Sequence, residues 1–216
     1  MFEDRTSAGE ELAQRLLEIP LVKPVVLALP RGGVPVAVPI AKALNAPLGL
    51  ILVRKIGMPG NPELAAGAVV EGAAPVFNMS LIAALKLAMT DFDATLARKR
   101  SEIAERREMY LGSREAVDLT GCTAVVVDDG IATGATVRAA LVGLQSRAPK
   151  RIVLAVPVAA PEVLDELSGL VDTVICPLRP KPFWSVGAHY RDFRQVDDSE
   201  VAFLLAEVNG PDTTRG

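Results

Sequence analysis

Apolar positions along this chain recur in two rhythms that alternate from one end to the other. Near the N-terminus Leu12, Leu16 and Ile19 follow Ser7-x-x-Glu10 at helical spacing, which predicts a capped helix over 7–18. A run rich in Val and Leu then fills 24–29 and stops at Pro30-Arg31-Gly32-Gly33, the pattern of a buried strand entering a glycine turn. Residues 34–45 read as a helix, with Pro39 inside it to kink or delay it, and 48–54 as the next strand. Residues 56–62 are turn formers with little to bury, which predicts a mobile loop. Two short strands are expected at 66–71 and 75–77, around Gly72, and then a long helical pattern over 80–111 whose second half is densely charged. Strands at 123–127, 151–156 and 172–176 follow, separated by helices at 134–147 and 161–168. The stretch 177–196 is irregular, 198–208 is a closing helix and 209–216 a frayed tail.

Strands alternating with helices predict an α/β fold, a mostly parallel central sheet with helices on both faces. The chain reads as one domain over 1–208, with a helical insertion near 80–111 and a hood near 177–196. No internal repeat is evident. In such folds ligands sit at the carboxyl ends of strands, so the loops after Leu29, Arg54, Val127, Val156 and Cys176 are where chemistry is expected.

Composition narrows the function. Half of the 216 residues are hydrophobic and only 4% aromatic, which suits Ala/Val/Leu helices packed on a dry sheet. A net charge of −3 provides no basic field for nucleic acid. Two cysteines, Cys122 and Cys176, are expected to be reduced thiols, and with His189 the only histidine there is no zinc set. The start, Met1-Phe2-Glu3-Asp4-Arg5, is charged and lacks a signal-peptide core. Apolar runs of roughly ten residues or fewer are too short to span a bilayer. A cytoplasmic protein is expected.

The chemistry concentrates at 125–136, Val-Val-Val-Asp-Asp-Gly-Ile-Ala-Thr-Gly-Ala-Thr. A strand ends in two carboxylates, Asp128 and Asp129, and a turn of small residues then opens a helix. Gly130, Ala132, Gly134 and Ala135 let backbone N–H groups approach an anion, and the helix start adds a positive dipole end. Thr133 and Thr136 add hydroxyl donors, completing a phosphate cradle. Carboxylates repel phosphate, so the acidic pair should address something else, and vicinal ribose hydroxyls fit because a carboxylate accepts from a cis diol. The plain alternative is a solvated turn with Thr133 as a helix cap. A Walker-type loop is excluded by the short Gly130-to-Gly134 spacing and by the lack of a Lys before Thr136, and no G-x-G-x-x-G occurs here.

This segment resembles the signature of the type I phosphoribosyltransferases: an apolar run, two acids, variable residues, then Ala/Thr-Thr-Gly-x-Thr/Ser. The resemblance extends loosely over 25–196. It implies a Rossmann-like sheet and Mg²⁺-dependent transfer of a phosphoribosyl group from 5-phosphoribosyl-1-pyrophosphate to an acceptor, with inversion at C1. On that resemblance Asp128 and Asp129 hold the ribose hydroxyls, and Ala132, Thr133, Gly134, Ala135 and Thr136 hold the 5-phosphate. No direct protein metal site is implied, since the substrate carries the Mg²⁺. Pro30-Arg31-Gly32-Gly33 looks like the family's pyrophosphate loop, with Arg31 and Gly32 facing the diphosphate, or else it is an ordinary turn with a solvated Arg. Lys55 is the candidate second cation beside it, or one of a solvated strand-capping pair. Residues 56–64 suit a lid, and Glu63 and Glu71 receive no role. Phe183, Trp184, His189, Tyr190 and Phe193 in the expected hood either stack on a planar acceptor or pack a satellite core. The basic residues Arg98, Lys99, Arg100, Arg106 and Arg107 read as a solvated helix face.

One departure bears on the acceptor. Family members acting on 6-oxopurines carry a carboxylate where this chain has Ala132, which disfavours hypoxanthine or guanine. Adenine, orotate, a pyrimidine or a non-nucleobase acceptor remain open. A non-catalytic sensor of the same ligand is the second hypothesis, a phosphohydrolase the third. A homodimer is the expected assembly.

Overall fold

Five short apolar strands lie side by side because each is dry enough on both faces to need helices above and below it. The computed structural model describes residues 1–210, without the side chains of Pro62 and Glu63; the rest of the expected tail and any role of Glu63 lie outside the described residues. The elements begin α1 (Arg5–Leu17), β1 (Pro24–Ala28), α2 (Gly33–Leu44), β2 (Leu48–Leu50), β3 (Val53–Met58), β4 (Asn61–Val70) and β5 (Val76–Phe77). They continue α3 (Met79–Ala84), α4 (Asp93–Leu111), β6 (Thr123–Val127), α5 (Ala135–Gln145), β7 (Arg151–Ala155), α6 (Pro161–Leu167), β8 (Thr173–Ile175) and α7 (Asp198–Asn209).

The main sheet runs β2-β1-β6-β7-β8, parallel throughout, and a separate antiparallel sheet, β3-β4-β5, forms a small hood. Along β6 the faces alternate: Val125 and Val127 pack with Leu12, Leu16, Ile40 and Leu205 of α1, α2 and α7, while Val126 packs with Leu141, Leu144 and Leu164 of α5 and α6. Every residue of β6 is at most 1% exposed. Burying each Val fully is worth about 1.5–3 kcal/mol, so the strand that carries the acidic pair is among the most firmly held.

Several expectations are corrected. Helix α1 starts earlier than Ser7: Asp4 is its N-cap, its side chain accepts from the Ser7 amide at 2.7 Å, and the Ser7 hydroxyl accepts from the Asp4 amide at 3.0 Å. The expected strand 48–54 is split between two sheets, since β2 ends at Leu50 and β3 begins the hood. The expected loop at 56–62 is instead a β-hairpin in which Met58 pairs with Asn61, Gly60 takes φ 77°, and Ile56 and Met58 are buried. Its turn formers make one tight reversal rather than an open loop. The helical pattern of 80–111 is interrupted: Lys86 has φ 55°, the Asp91 side chain accepts from the Ala88 amide at 2.8 Å, and fully buried Phe92 anchors a short 3-10 turn before α4. Asn209 is not frayed but caps the sheet edge, accepting from Leu48 N at 3.1 Å and donating to Leu48 O at 2.8 Å.

The stretch 177–196 folds back on the chain start. Phe2 bridges Tyr190, Val158 bridges Leu178, and Phe2, Ala8, Val158 and Tyr190 form a satellite core against which Phe183, Val186 and Phe193 pack. Among the described residues no helix is long and apolar enough to cross a membrane.

Helices α1 and α2 meet at Gly9, where a Cβ would lie 2.2 Å from the Val36 carbonyl oxygen and 2.5 Å from Pro39 Cγ. Replacing Gly9 by Ala is expected to cost about 1–3 kcal/mol through overpacking, a fall in Tm of roughly 2–12 °C for a chain of this size. Thermal unfolding followed by circular dichroism checks it; an unchanged Tm would mean the two helices are not in such close contact.

Candidate functional site

The site grows from the central strand pair. β1 and β6 are adjacent and parallel, in register from Pro24–Thr123 to Ala28–Val127, and Leu29 N extends the ladder to Val127 O at 2.9 Å. Their carboxyl ends therefore deliver two loops to one place, 30–33 after β1 and 128–134 after β6, where the strand order reverses direction.

These loops touch so closely that only glycine fits between them. A Cβ at Gly32 would lie 1.9 Å from Asp129 Oδ2, and one at Gly33 would lie 2.7 Å from Val127 O and 3.0 Å from Asp128 Cα. The Pro30–Arg31 peptide bond in this loop is cis. Helix α2 starts immediately afterwards with no side-chain cap on its N-terminal amides.

The second loop is a concavity of about 190 Å³ lined by Asp128, Gly130, Ala132, Thr133, Gly134 and Thr136, with Val186 on its rim. Gly134 takes φ 72° as the N-cap of α5 and supplies no side-chain cap. The Arg138 amide is the first to find a helical acceptor, Gly134 O at 2.8 Å. Among the described residues none accepts from the amides of Ala132, Thr133, Gly134, Ala135 or Thr136. Ala132, Thr133, Ala135 and Thr136 are exposed. Open amides converging at the positive end of a helix form a nest for an anion. Gly130 lets the satellite segment close over it, since a Cβ there would lie 2.5 Å from Val186 Cγ1.

The acidic pair is electrostatically tense. Asp128 is half-buried, and its desolvation together with the neighbouring Asp129 pushes its carboxyl well above the usual range. Its Oδ1 accepts from the Asp129 amide at 2.9 Å. Asp129 is also raised by burial, opposed by Arg5, whose Nε and Nη2 lie 2.9 and 2.8 Å from Oδ2. The Tyr190 hydroxyl donates to Asp129 O at 2.6 Å, and burial and Asp129 push that phenol above its ordinary value. Of the two acids, Asp128 lines the concavity.

A second, larger cleft of about 520 Å³ lies on the other side of the glycine loop, lined by Pro30, Arg31, Arg54, Glu102, Arg106 and Met109. Arg31 Nη1 is 4.0 Å from Asp198 Oδ1, which Arg106 approaches to 2.6 Å and the Tyr110 hydroxyl also donates to. Arg54 pairs with Glu102 at 3.5 Å. The structure thus brings Gly32 against Asp129, while Arg31 lines the larger cleft and faces Asp198. Lys55, one residue along β3 from Arg54, is exposed and does not line this cleft. Glu71 lies elsewhere, in an ion pair with Arg107 at 2.8 Å, its carboxyl raised by burial. His189 packs 5.9 Å from the Phe183 ring, and Trp184 is 81% exposed.

Reasoning from sequence did not single out Arg5, Arg54 or Asp198 for the site, and it gave Tyr190 a place among the hood aromatics rather than beside Asp129. Arg5 and Asp129 stand 124 positions apart, and nothing local to either forecasts the other. Arg54 was legible as half of a basic pair, and strand pleating decides which half faces the cleft.

The chain's likeness to known proteins bears on its family and its fold. A family model described as "Phosphoribosyl transferase domain" matches residues 4–192. A Mycobacterium tuberculosis protein, "Putative phosphoribosyl transferase Rv0571c", is 42% identical over 205 residues, 95% of this chain and 46% of that protein. The chain thus spans about half the length of the curated relatives it matches. The crystal structure of TT1426 from Thermus thermophilus superposes with a TM-score of 0.85 at 42% identity, covering 97% of this chain and 99% of that one. The AQ2163 protein of Aquifex aeolicus, 15% identical with a TM-score of 0.51 over 81% of this chain and 74% of its own, shares the fold alone.

The raised carboxyl of Asp128 makes a prediction about stability. A folded-state pKa above the unfolded value of about 3.9 means that stability is greatest while the proton stays bound and is lost as pH rises through the folded pKa. Asp128→Asn keeps the Oδ1 acceptor and removes the partly desolvated charge. It is expected to raise the Tm of the unliganded protein by a few degrees at neutral pH, with the gain shrinking as pH falls toward the unfolded value. A gain that is absent, or independent of pH, would contradict the assignment.

Proposed function

The chain belongs to the phosphoribosyl transferase domain family, and from that premise we propose that it transfers the phosphoribosyl group of 5-phosphoribosyl-1-pyrophosphate to a small acceptor. The observation that carries the reading is the open amide nest of 132–136 beside the half-buried carboxylate of Asp128. A phosphate and a cis diol separated by a ribose ring match that pairing.

In this reading the nest and the hydroxyls of Thr133 and Thr136 hold the 5-phosphate, and the acidic pair accepts from the ribose hydroxyls. Arg31 and the Gly32 loop face the diphosphate, with Arg54 and Arg106 across the cleft. The C1–O bond breaks with its electron pair leaving on pyrophosphate, and an acceptor nitrogen bonds to C1 from the opposite face, its proton passing to solvent. The protein supplies no nucleophile; it positions, neutralises charge and excludes water. Magnesium suits this reading, because a diphosphate and ribose hydroxyls are hard oxygen donors of the kind it prefers. When bound, the ion would arrive carried by the diphosphate and would neutralise the leaving group. Ala132, where 6-oxopurine enzymes carry a carboxylate, favours another acceptor, and exposed Trp184, two positions from Val186 on the rim, offers it a stacking face.

A sensor that binds without transfer is the second reading. It is favoured by Arg54 and Arg106 already being paired with Glu102 and Asp198 rather than free for a diphosphate.

Phosphoribosyl pyrophosphate with Mg²⁺ should raise the Tm, by about 2.7 kcal/mol of stabilisation at a hundredfold excess over Kd. Asp128→Asn/Asp129→Asn should lose the effect. Pyrophosphate release on adenine, orotate or a pyrimidine identifies an enzyme, and binding without release on any acceptor identifies the sensor. No binding by the wild-type protein would refute both.

A further inference from the structure

Asp129 is held in a way that its partner Asp128 is not. Arg5 is the first residue of α1, where a cation opposes the helix dipole and is locally disfavoured. Its side chain is nonetheless only 11% exposed, and that of Asp129 16%. Both donors, Nε at 2.9 Å and Nη2 at 2.8 Å, converge on a single oxygen, Oδ2. The same oxygen rests against Gly32, where a Cβ would come within 1.9 Å. Among the described residues no other residue donates to Oδ1. A residue that breaks a local preference and is then buried in a specific contact marks a constraint imposed by the site.

Arg5 is itself fixed from three directions. Its Nη1 donates to Arg194 O at 2.8 Å, and its guanidinium carbon stacks 3.8 Å above the Phe193 ring. Phe193 lies 5.0 Å from Tyr190, whose hydroxyl donates to Asp129 O at 2.6 Å. The contacts close a ring from Arg5 through Asp129, Tyr190 and Phe193 back to Arg5. So braced, the guanidinium is not a latch that ligand pushes aside.

Resting on the reading of a phosphoribosyl pyrophosphate site, we infer that Arg5 is a positioning residue that clamps one oxygen of Asp129 and so presents the other to a ribose hydroxyl. The clamp also keeps the 30–33 loop in register with the acidic pair, because the clamped oxygen is wedged beneath Gly32. Through it the N-terminal helix becomes part of the site without touching ligand. The charged and titratable groups facing Asp129 are Asp128 on its own loop, Arg5 from α1 and Tyr190 from the satellite segment; Glu200 of α7 faces Arg5 in turn. Arg5 is the cation that opposes the effect of burial on Asp129, so its loss leaves that carboxyl harder to ionise.

The test is calorimetric titration of Mg²⁺-phosphoribosyl pyrophosphate into wild type, Arg5→Gln and Arg5→Lys, from mildly acidic to mildly alkaline pH, with folding verified by circular dichroism. Arg5→Gln should bind roughly 10–100-fold more weakly, the range for losing hydrogen bonds to a charged group, and the acid limb of its binding profile should move to higher pH. Arg5→Lys should fall between, since an ammonium restores the charge but not the planar pair of donors. If Arg5→Gln does not fold, Arg5→Lys decides: wild-type affinity and pH dependence there overturn the inference. Tight wild-type binding that Arg5→Gln leaves untouched sinks the role of Arg5 alone, whereas a wild type that does not bind at all takes down the reading of the site and this inference with it.

Discussion

Two adjacent parallel strands that end at the same height set the terms for everything else at the carboxyl edge of this sheet. Five register pairs join β1 to β6, and the ladder continues one bond further, from Leu29 to Val127. That leaves no room between the loops that follow. Gly32 and Gly33 are there because the acidic pair occupies the space that any side chain would need. The glycine loop and the acidic loop are therefore one rigid unit rather than two surface turns, and rigidity is what a positioning site requires.

The unit is also under electrostatic load. Two neighbouring carboxylates are half-buried, and desolvation raises both. Nearby amides of 132–136 have no protein acceptor among the described residues. A fold optimised for its own stability would have given Asp128 a counter-ion, as Arg5 serves Asp129, and would have capped the amides. Unmet donors beside unmet acceptors are instead the complement of a ligand carrying both a phosphate and hydroxyls. The cost is tolerable because β6 itself is wholly dry and bonded on both sides.

The parts that could be read in the sequence are those whose causes are local. The run from Val125 to Thr136 contains its strand, its acids and its small-residue turn in one stretch, so its shape was legible. The alternation of elements likewise predicted the parallel sheet and its helical layers. Misreadings arose where one residue type serves two structures. Pro59, Gly60 and Asn61 suggest an open loop, but with Ile56 and Met58 buried they make a hairpin. Leu48 to Arg54 looks like one strand, but the chain leaves one sheet for another within it. The clamp on Asp129 was illegible because Arg5 and Tyr190 lie 124 and 61 positions away in sequence. Only the folded chain brings a helix start, a satellite segment and a strand end to the same carboxylate.

The central claim is that the amides of 132–136 and the carboxylate of Asp128 receive the phosphate and the diol of one ligand. It is tested most directly by following backbone amide resonances while ribose 5-phosphate is added. Shifts that saturate and concentrate on Gly130 and on Ala132 to Thr136, with Gly134 and Ala135 among the largest, are the predicted result. Saturating shifts that leave this loop unmoved and gather elsewhere on the surface would contradict it.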